Sequence, residues 1–330
     1  MASKREGAPA RAIDDGFFAS IRGEAQWITL RGADRANPAL LMLTGPGAAF
    51  SRMAPFFATW EVAFTLVQWD QPGAGATYAR NGEAPLSLDR LAADAAAVAE
   101  IALARLGAAK LIVLGVSGGS IIGLKLAKAR PDLAAAFVGT GQIVHWARQQ
   151  ALGYGRALKA AQTLGDAAAV ADLERIGPPP YPDVATELVF SQRANTMTEA
   201  ERAAFASLDA GAAAALATPP PGASWVPADL PLPDGRARGL AGYLALRDEI
   251  AAFDARALGL AFATPLIFQQ GALDHYTPTT EVTAYAAAIS APAVKVIEVP
   301  GGGHSAVFLR ERFLALLEKH ALTFASRFGV

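Results

Sequence analysis

The feature that most constrains the fold is a set of short apolar runs without polar alternation. The run "KLIVLGV" begins at Lys110, and "ALLML", "FTLVQWD", "AAFVGT" and "PLIFQQG" have the same character. A strand that is apolar on both sides is buried on both faces, which is typical of a parallel sheet covered by helices. Helical segments separate several of these runs, and the clearest extends from Ser87, a candidate N-cap, to Gly107. The chain is therefore predicted to have an α/β core.

This pattern is interrupted once. Between about His145 and Arg256, alanine-rich helical stretches alternate with the proline clusters "GPPPYPD" and "TPPPGASWVPADLPLPDG". Strand patterns then resume with "TPLIFQQGALD" and "AVKVIEVPGGGH", and "SAVFLRERFLALLEKHALTFA" predicts a C-terminal amphipathic helix. We predict a first core segment over 1–144, an inserted helical cap over 145–256 and a second core segment over 257–330. A chain of 330 residues is long enough for this arrangement.

Composition argues against several classes of function. A net charge of −1 provides no broad basic surface, so we expect no nucleic-acid partner. The chain has no cysteine, which excludes disulfides, thiolate zinc sites and cysteine nucleophiles. No uncharged apolar run approaches about 18 residues, and the opening "MASKREGAPARAIDDG" lacks the apolar centre of a signal peptide. We therefore expect no membrane span and a cytoplasmic location; the oligomeric state cannot be read from the sequence.

A serine lies at the turn between a predicted strand and a predicted helix. Gly115-Val116-Ser117-Gly118-Gly119 matches the G-x-S-x-G pattern of a nucleophile elbow, in which small neighbours let a sharp turn expose the hydroxyl. The first amides of the following helix then face the oxygen on which negative charge develops. The alternative is a glycine-lined turn with Ser117 as a simple helix N-cap. The position after a buried strand favours the nucleophile.

A serine nucleophile needs a base, and the chain contains four histidines. His304 follows a strand and the glycine loop "PGGG", so its side chain can turn over the carboxyl ends of the parallel strands, where open α/β sheets place their sites. His320 lies in the terminal helix, His145 begins the cap, and His275 is on a different loop. His304 is the predicted base.

The third member of a triad is a carboxylate that orients the histidine. Asp274 follows the apolar run "PLIFQQG" and is the predicted acid, although it can also cap the helix that begins nearby. The chain order Ser117, Asp274, His304 is the Ser-Asp-His order of α/β-hydrolases.

Longer passages resemble the α/β-hydrolase family, and its proline iminopeptidase branch in particular. "NPALLMLTGPG" resembles the stretch that ends His-Gly-Gly-Pro-Gly in those enzymes, and "WDQPGAGAT" resembles their Asp-Gln-Arg-Gly-x-Gly segment. "LIFQQGALDHYTP" and "APAVKVIEVPGGGH" resemble the passages that carry the acid and the base. The resemblance covers both core segments and is slight across the cap.

The resemblance implies a role for each matching position. Ser117 attacks a carbonyl, His304 acts as base and then acid, and Asp274 orients it. The backbone amides of Gly45 and Gly118 form the oxyanion hole. The chemistry implies no cofactor and no metal, and the partner is a small-molecule or short-peptide substrate, with release of N-terminal proline from peptides as the implied activity.

Four positions depart from the family pattern. Leu43 and Thr44 stand where the family has His and Gly, Pro72 replaces an Arg, and Gly118 replaces a bulky residue. The Trp-x-x-Trp-Glu passage through which the cap of those enzymes recognises a free amino group is also absent. The carboxylates available as substitutes in the cap are Glu187, Glu199, Glu201, Asp248 and Glu249.

These departures leave a small-ester or amide hydrolase open beside the peptidase. A catalytically silent member of the fold that only binds a ligand is a further alternative. A phosphate loop at "GPGAAF" or "QPGAGAT" is a third, although neither passage has the Gly-Lys-Ser/Thr ending of a P-loop.

Overall fold

Eight strands form one sheet in the described part of the chain, residues 12–325 of a computed structural model. They are β1 (Ile13–Ile21), β2 (Glu24–Gly32), β3 (Ala39–Leu43), β4 (Thr65–Asp70), β5 (Leu111–Val116), β6 (Ala134–Thr140), β7 (Leu266–Gly271) and β8 (Val294–Val299). Their order across the sheet is β1-β2-β4-β3-β5-β6-β7-β8. The pairs β1/β2 and β2/β4 are antiparallel, and all the others are parallel. The predicted α/β core is confirmed.

Helices cover both faces of the sheet and form the insertion. They are α1 (Ala54–Phe57), α2 (Gly75–Asn81), α3 (Leu88–Leu106), α4 (Gly118–Ala129), α5 (Trp146–Leu164), α6 (Ala167–Ile176), α7 (Val184–Ala194), α8 (Glu199–Ala206), α9 (Ala210–Ala217), α10 (Gly235–Ala251), α11 (Thr279–Ala286), α12 (Arg310–Leu317) and α13 (Thr323–Ala325). Shorter 3₁₀ turns cover Ser51–Met53, Ala58–Val62, Ala255–Leu258 and Ala306–Phe308, and a π-helical turn covers Glu318–Leu322.

The residues predicted to begin and end α3, Ser87 and Gly107, are confirmed. The Ser87 hydroxyl accepts a hydrogen bond from the amide of Arg90, and Gly107 ends α3 with a φ of 69°. A left-handed residue of this kind is readily supplied by glycine.

The missing alternation in the strands has a direct structural cause. In β3, Leu41 and Leu43 pack into the hydrophobic cluster on one side of the sheet, whereas Leu40 and Met42 pack into the cluster on the other. Each of these side chains is at most 1% exposed. A strand buried on both faces has no solvent side on which to place polar residues.

Two sequence expectations were incomplete at the ends of the fold. Strand β1 has no clear signal in the sequence, because this edge strand pairs only with β2 and is half exposed, so it lacks a buried apolar run. The C-terminal helix was expected to begin at Ser305, but α12 begins at Arg310. A separate 3₁₀ turn and a non-helical Leu309 precede it.

The insertion between β6 and β7 contains α5 to α10, and its two ends meet. His145 pairs with Asp254, and the amide of Ala255 donates to the carbonyl of Val144 at 2.7 Å. Such pairing lets a long segment leave the sheet and return at one place. The predicted boundaries of the cap, 145 and 256, lie beside it. Within residues 12–325, no helix is both long enough and apolar enough to cross a bilayer.

Candidate active site

Ser117 occupies the sharp turn between β5 and α4. Its φ of 54° and ψ of −124° lie outside the ordinary regions for a residue with a side chain. Among the described non-glycine residues only Arg22 also has a positive φ. The Ser117 hydroxyl makes no capping hydrogen bond to α4, so the geometry does not support its interpretation as an ordinary N-cap.

The glycines around Ser117 are required by close backbone contacts. A methyl group at Gly115 would lie 2.7 Å from the carbonyl oxygen of Gly119, and one at Gly119 would lie 2.2 Å from that of Leu43. A methyl group at Gly118 would lie 2.9 Å from the ring of Pro46. This last contact explains why Gly118 departs from the bulky residue of the family pattern.

The structure brings the three predicted triad residues together. His304 Nε2 lies 2.8 Å from Ser117 Oγ, and His304 Nδ1 lies 3.1 Å from Asp274 Oδ2. His304 is 5% exposed and Asp274 is 1% exposed, whereas Ser117 is only partly buried. The serine hydroxyl therefore faces an accessible space, while the imidazole and the carboxylate behind it are shielded from water.

Asp274 is held as a carboxylate by its neighbours. Its Oδ1 accepts hydrogen bonds from the amides of Tyr276 and Thr277, and Oδ2 accepts one from the Thr277 hydroxyl at 2.6 Å. Burial by itself would raise the pKa of Asp274, but His304 and these hydrogen bonds outweigh it, so the pKa lies below its usual value. The aspartate orders its own loop and faces the histidine at the same time.

Two residues not predicted from the sequence, Tyr276 and Thr277, hold the His304 ring. Tyr276 contacts it edge-on, with ring centroids 4.9 Å apart, and the Thr277 hydroxyl lies 3.1 Å from Nδ1. On another side the ring packs against Gly141, where an added methyl group would lie 2.8 Å from Cε1. The only sequence signal for Tyr276 and Thr277 is their position directly after the predicted acid.

A buried carboxylate from the insertion holds the loop before His304. Glu201 Oε1 accepts a hydrogen bond from the amide of Gly303 at 2.8 Å, and Oε2 accepts one from the amide of Thr198 at 2.9 Å. The Thr198 hydroxyl donates to the carbonyl of Gly301. Burial raises the pKa of Glu201, and its hydrogen bonds and the nearby His304 act in the opposite direction. The start of α8 is thereby joined to the histidine loop.

Replacing Glu201 by glutamine is expected to affect both stability and activity. The amide of glutamine can accept only on its oxygen, so one of the two backbone N–H groups loses its acceptor, at a cost of about 1–3 kcal/mol in unfolding free energy. We expect kcat to fall about tenfold through displacement of the loop. The acidic limb of the pH–kcat/KM profile should move to lower pH, because a negative charge near the imidazolium is removed.

The matched control is Glu199→Gln, two residues earlier in the same helix and exposed. Thermal unfolding and pH–rate profiles of both variants provide the measurement. An unchanged profile for Glu201→Gln would assign Glu201 to cap stability alone.

The two glycines predicted to supply the oxyanion-binding amides are in backbone contact. A methyl group at Gly118 would lie 3.0 Å from the Gly45 Cα, so the two backbones are in contact. The Thr44 hydroxyl donates to the carbonyl of Ala48 at 2.9 Å, and Gln71 Nε2 donates to the carbonyl of Thr44 at 3.0 Å. Thr44 and Gln71 thus support the loop at the point where the sequence departs from the His-Gly of the family.

The missing arginine of the second motif has a counterpart from the insertion. The guanidinium of Arg238 on α10 donates to the carbonyl of Gly73, pairs with Glu83 and stacks over the ring of Tyr78 at 3.8 Å. Pro72 provides no cation to this loop, and Arg238 contacts the neighbouring Gly73 from a distant part of the chain.

A cavity of about 230 Å³ opens onto Ser117. Its lining is apolar and aromatic apart from the serine and consists of Gly45, Pro46, Ala48, Ser117, Gly118, Ile143, Trp146, Gly239, Tyr243, Ile250 and Tyr276. None of these described lining residues carries a charged side chain. The cavity is suited to a small uncharged group.

Glu187 is a buried carboxylate whose partner Tyr243 lines this cavity, and both of its oxygens already have partners. Glu187 is 4% exposed, and its Oε1 accepts hydrogen bonds from Tyr243 and Gln150 at 2.7 and 2.8 Å. Its Oε2 pairs with Arg247 at 2.6 Å. Because Arg247 neutralises the charge, Glu187 is poorly placed to bind an additional ammonium group.

The other substitute carboxylates also point elsewhere. Glu249 accepts a hydrogen bond from the amide of Leu88 at the start of α3, Glu201 binds the histidine loop, and Glu199 and Asp248 are exposed. The structure places none of the five in the lining of the Ser117 cavity.

The remaining sequence candidates lie apart from the serine. His275 lines a separate groove with Leu273, His145 precedes α5, and His320 lies near Lys295. The glycine passage "QPGAGAT" is closed to a phosphate, because the buried Asp70 carboxylate accepts a hydrogen bond from the amide of Ala76. Burial raises the pKa of Asp70 to about 6.

The sheet order, the strained serine and the histidine beside it together define an α/β hydrolase. The sequence model for the alpha/beta hydrolase fold matches residues 38–311, and the chain belongs to that family. The predicted fold class is confirmed.

Individual relatives are more distant. A probable aminopeptidase of Bacillus subtilis (strain 168), YbaC, is 31% identical over 138 residues, which cover 41% of this chain and 43% of that protein. The match therefore spans less than half the length of this relative.

Similar solved structures include a proline iminopeptidase-related protein of Thermus thermophilus, with a TM-score of 0.62 and 18% identity over 94% of this chain and 98% of that one. The proline iminopeptidase of Mycobacterium smegmatis has a TM-score of 0.59 at 15% identity, covering 95% and 99%. A thermophilic esterase of Thermogutta terrifontis has a TM-score of 0.57 at 15% identity, covering 95% and 100%. At these identities the likeness concerns the fold.

Proposed function

We propose that this hydrolase is a serine hydrolase that works through an acyl-enzyme, with Ser117 as nucleophile, His304 as base and acid, and Asp274 as the group that orients the histidine. The observation that carries the proposal is the 2.8 Å contact between Ser117 Oγ and His304 Nε2 on a strained turn. A serine hydroxyl is a weak nucleophile until an adjacent base accepts its proton. Asp274 stabilises the imidazolium that forms.

The reaction has two halves. In the first, Ser117 Oγ bonds to the carbonyl carbon of the substrate while His304 Nε2 takes the hydroxyl proton. The oxyanion that forms is bound by the amides of Gly45 and Gly118. His304 then gives the proton to the leaving oxygen or nitrogen, and the acyl-enzyme remains. In the second half, water attacks the ester while His304 Nε2 accepts a proton from it, and His304 then returns that proton to Ser117 Oγ as the carboxylic acid is released.

The acyl group is proposed to be small and uncharged. A cavity of about 230 Å³ with an aromatic lining favours a short aliphatic or cyclic acyl chain. An ammonium group placed there would lose its hydration without gaining a free carboxylate, which is costly in an apolar site. We therefore favour a small-ester or amide hydrolase, with residues 145–256 acting as the cap over the site.

A second candidate is an aminopeptidase that releases a small N-terminal residue such as proline. The partial match to the probable aminopeptidase of B. subtilis favours it. The engagement of Glu187 with Arg247 argues against it.

The two candidates are separated by a matched pair of 4-nitroanilides, one of L-proline and one of cyclopentanecarboxylic acid. The rings have the same shape and differ in an ammonium group against a methylene. We expect kcat/KM for the cyclopentane compound to be at least tenfold higher, and 4-nitrophenyl esters of short acids to be hydrolysed as well. The reverse preference would make the protein an aminopeptidase. Absence of any turnover above that of Ser117→Ala would reject both candidates.

A further inference from the structure

We propose that a second cavity beside the Ser117 cavity binds the leaving group of the substrate, and that Arg52 in it recognises a carboxylate on that leaving group. The inference rests on the proposed serine-hydrolase function. This cavity has a volume of about 280 Å³ and lies between the loop after β3 and the start of α10. Ala48 lines both cavities, so they are neighbours across the loop that follows β3 and contains Gly45, residues 44–49, which we call the oxyanion loop.

Helix α10 runs past both cavities. Gly235 lines the second cavity, and Gly239 and Tyr243 line the first. Successive positions four residues apart lie about 6 Å apart along a helix. A substrate with its carbonyl group at Ser117 can therefore extend by about the length of a benzene ring and reach the second cavity.

Close packing holds α10 against the oxyanion loop. A methyl group at Gly47 would lie 2.1 Å from the carbonyl oxygen of Arg238, and one at Gly242 would lie 2.5 Å from the carbonyl carbon of Pro46. These contacts fix α10 against this loop, and with it the position of the second cavity relative to the first.

Arg52 is the positively charged residue in the lining of the second cavity, and the N–H groups of its guanidinium are not used by other residues of the described chain. It lies half-buried in a 3₁₀ turn, beside Met53 and Leu216 in the cavity lining. Within residues 12–325 its guanidinium makes no hydrogen bond and no ion pair. A guanidinium has five N–H donors in a planar fork that matches a carboxylate.

Two carboxylates lie within the electrostatic range of Arg52, and each has other partners. Asp70 accepts a hydrogen bond from the amide of Ala76. Asp234 caps α10 and accepts hydrogen bonds from the amides of Arg236 and Ala237. Neither forms an ion pair with Arg52, whose fork is therefore available to a ligand.

The class of substrate follows from the two cavities together. The Ser117 cavity takes a neutral acyl group, and Arg52 takes an anion on the other side of the scissile bond. Esters or amides whose alcohol or amine part carries a carboxylate have this distribution of charge, and N-acylated amino acids are the amide form. A bidentate guanidinium–carboxylate pair also fixes the direction of the leaving group.

The test uses 4-acetoxybenzoate and its methyl ester. Both place the same acetyl group at Ser117, and only the first has a leaving group with a carboxylate. The methyl ester has the slightly better leaving group, so a preference for the anion must come from binding. We expect the native protein to favour the anion at least tenfold in kcat/KM, mainly through KM, and Arg52→Gln to lose this preference.

The matched control is Arg236→Gln, which removes the same charge from an exposed position on α10. It should keep the preference of the native protein. Circular dichroism on heating confirms that both variants fold. An equal preference in the native protein and Arg52→Gln, with hydrolysis of both esters intact, would overturn the inference while the serine-hydrolase proposal stands.

Direct binding tests the site without catalysis. Titration of the native protein with 4-hydroxybenzoate, the leaving group alone, should show saturable binding that weakens at least tenfold in Arg52→Gln. If neither ester is hydrolysed, the proposed function fails, and this titration still decides whether Arg52 forms an anion site. Absence of binding to the native protein overturns the inference.

Discussion

Ser117→Ala is expected to lower kcat by roughly four to six orders of magnitude, with little change in fold. The substitution removes the only atom that can form the acyl-enzyme and leaves the turn backbone in place. His304→Ala should be of similar severity, because the hydroxyl then has no base within hydrogen-bond distance. Turnover of a short 4-nitrophenyl ester and the circular dichroism spectrum of each variant provide the measurement.

Labelling with a fluorophosphonate probe tests the assignment of Ser117 as nucleophile and His304 as base without knowledge of the substrate. Mass spectrometry should locate the adduct on Ser117 in the native protein and find none in His304→Ala. A well-folded native protein that forms no adduct, although a small probe fits the cavity, would contradict the nucleophile assignment and favour a silent member of the fold.

Ser117→Gly distinguishes a catalytic role of Ser117 from a purely structural one, because only a catalytic serine is expected to give a variant that is inactive and yet more stable. At a φ of 54° a side chain is strained, and glycine relieves that strain. The variant should be inactive and yet more stable, by about 1 kcal/mol in unfolding free energy.

The second large effect is expected at Gly119. Alanine at this position would place its methyl group 2.2 Å from the carbonyl oxygen of Leu43 and 2.7 Å from that of Thr44. Neither oxygen belongs to a flexible side chain, so the start of α4 must move away from the oxyanion loop. We expect a loss of about 3 kcal/mol in unfolding free energy and at least a hundredfold loss of kcat through displacement of the Gly45 amide.

Gly155→Ala is the matched control, because Gly155 also lies in a helix and an added methyl group would meet nothing within 4 Å. This change should stabilise the protein by about 0.5–1 kcal/mol. Chemical denaturation of both variants gives the two free energies. Equal stability of Gly119→Ala and the native protein would contradict the close backbone contact between Gly119 and the loop after β3.

The sequence predicted local features well, because each depends on neighbouring residues. The burial of β5 follows from its apolar run, the end of α3 follows from Gly107, and the turn at Ser117 follows from its glycines. The edge strand β1 was missed for the same reason, since its stability depends on pairing with β2 rather than on its own composition.

The order Ser117, Asp274, His304 could be predicted because the carboxyl ends of parallel strands meet at one edge of a sheet. The contacts that the insertion makes could not be predicted from the sequence. Glu201 reaches Gly303 across 102 residues, and Arg247 neutralises Glu187 across 60. Nothing in the local pattern distinguishes a paired buried glutamate from a solvated one.

The sequence by itself determined the α/β architecture, the elbow at Ser117 and the strand ends on which Asp274 and His304 lie, since periodicity, glycine and chain order encode these features locally. Only the tertiary structure decided which charges remain available. It pairs Glu187 with Arg247 and uses Glu201 to hold the histidine loop, and among residues 12–325 it gives Arg52, beside the oxyanion loop, no ion-pair partner. The physical reason is that the availability of a charged group depends on partners far away in the chain, which only the folded packing brings within reach.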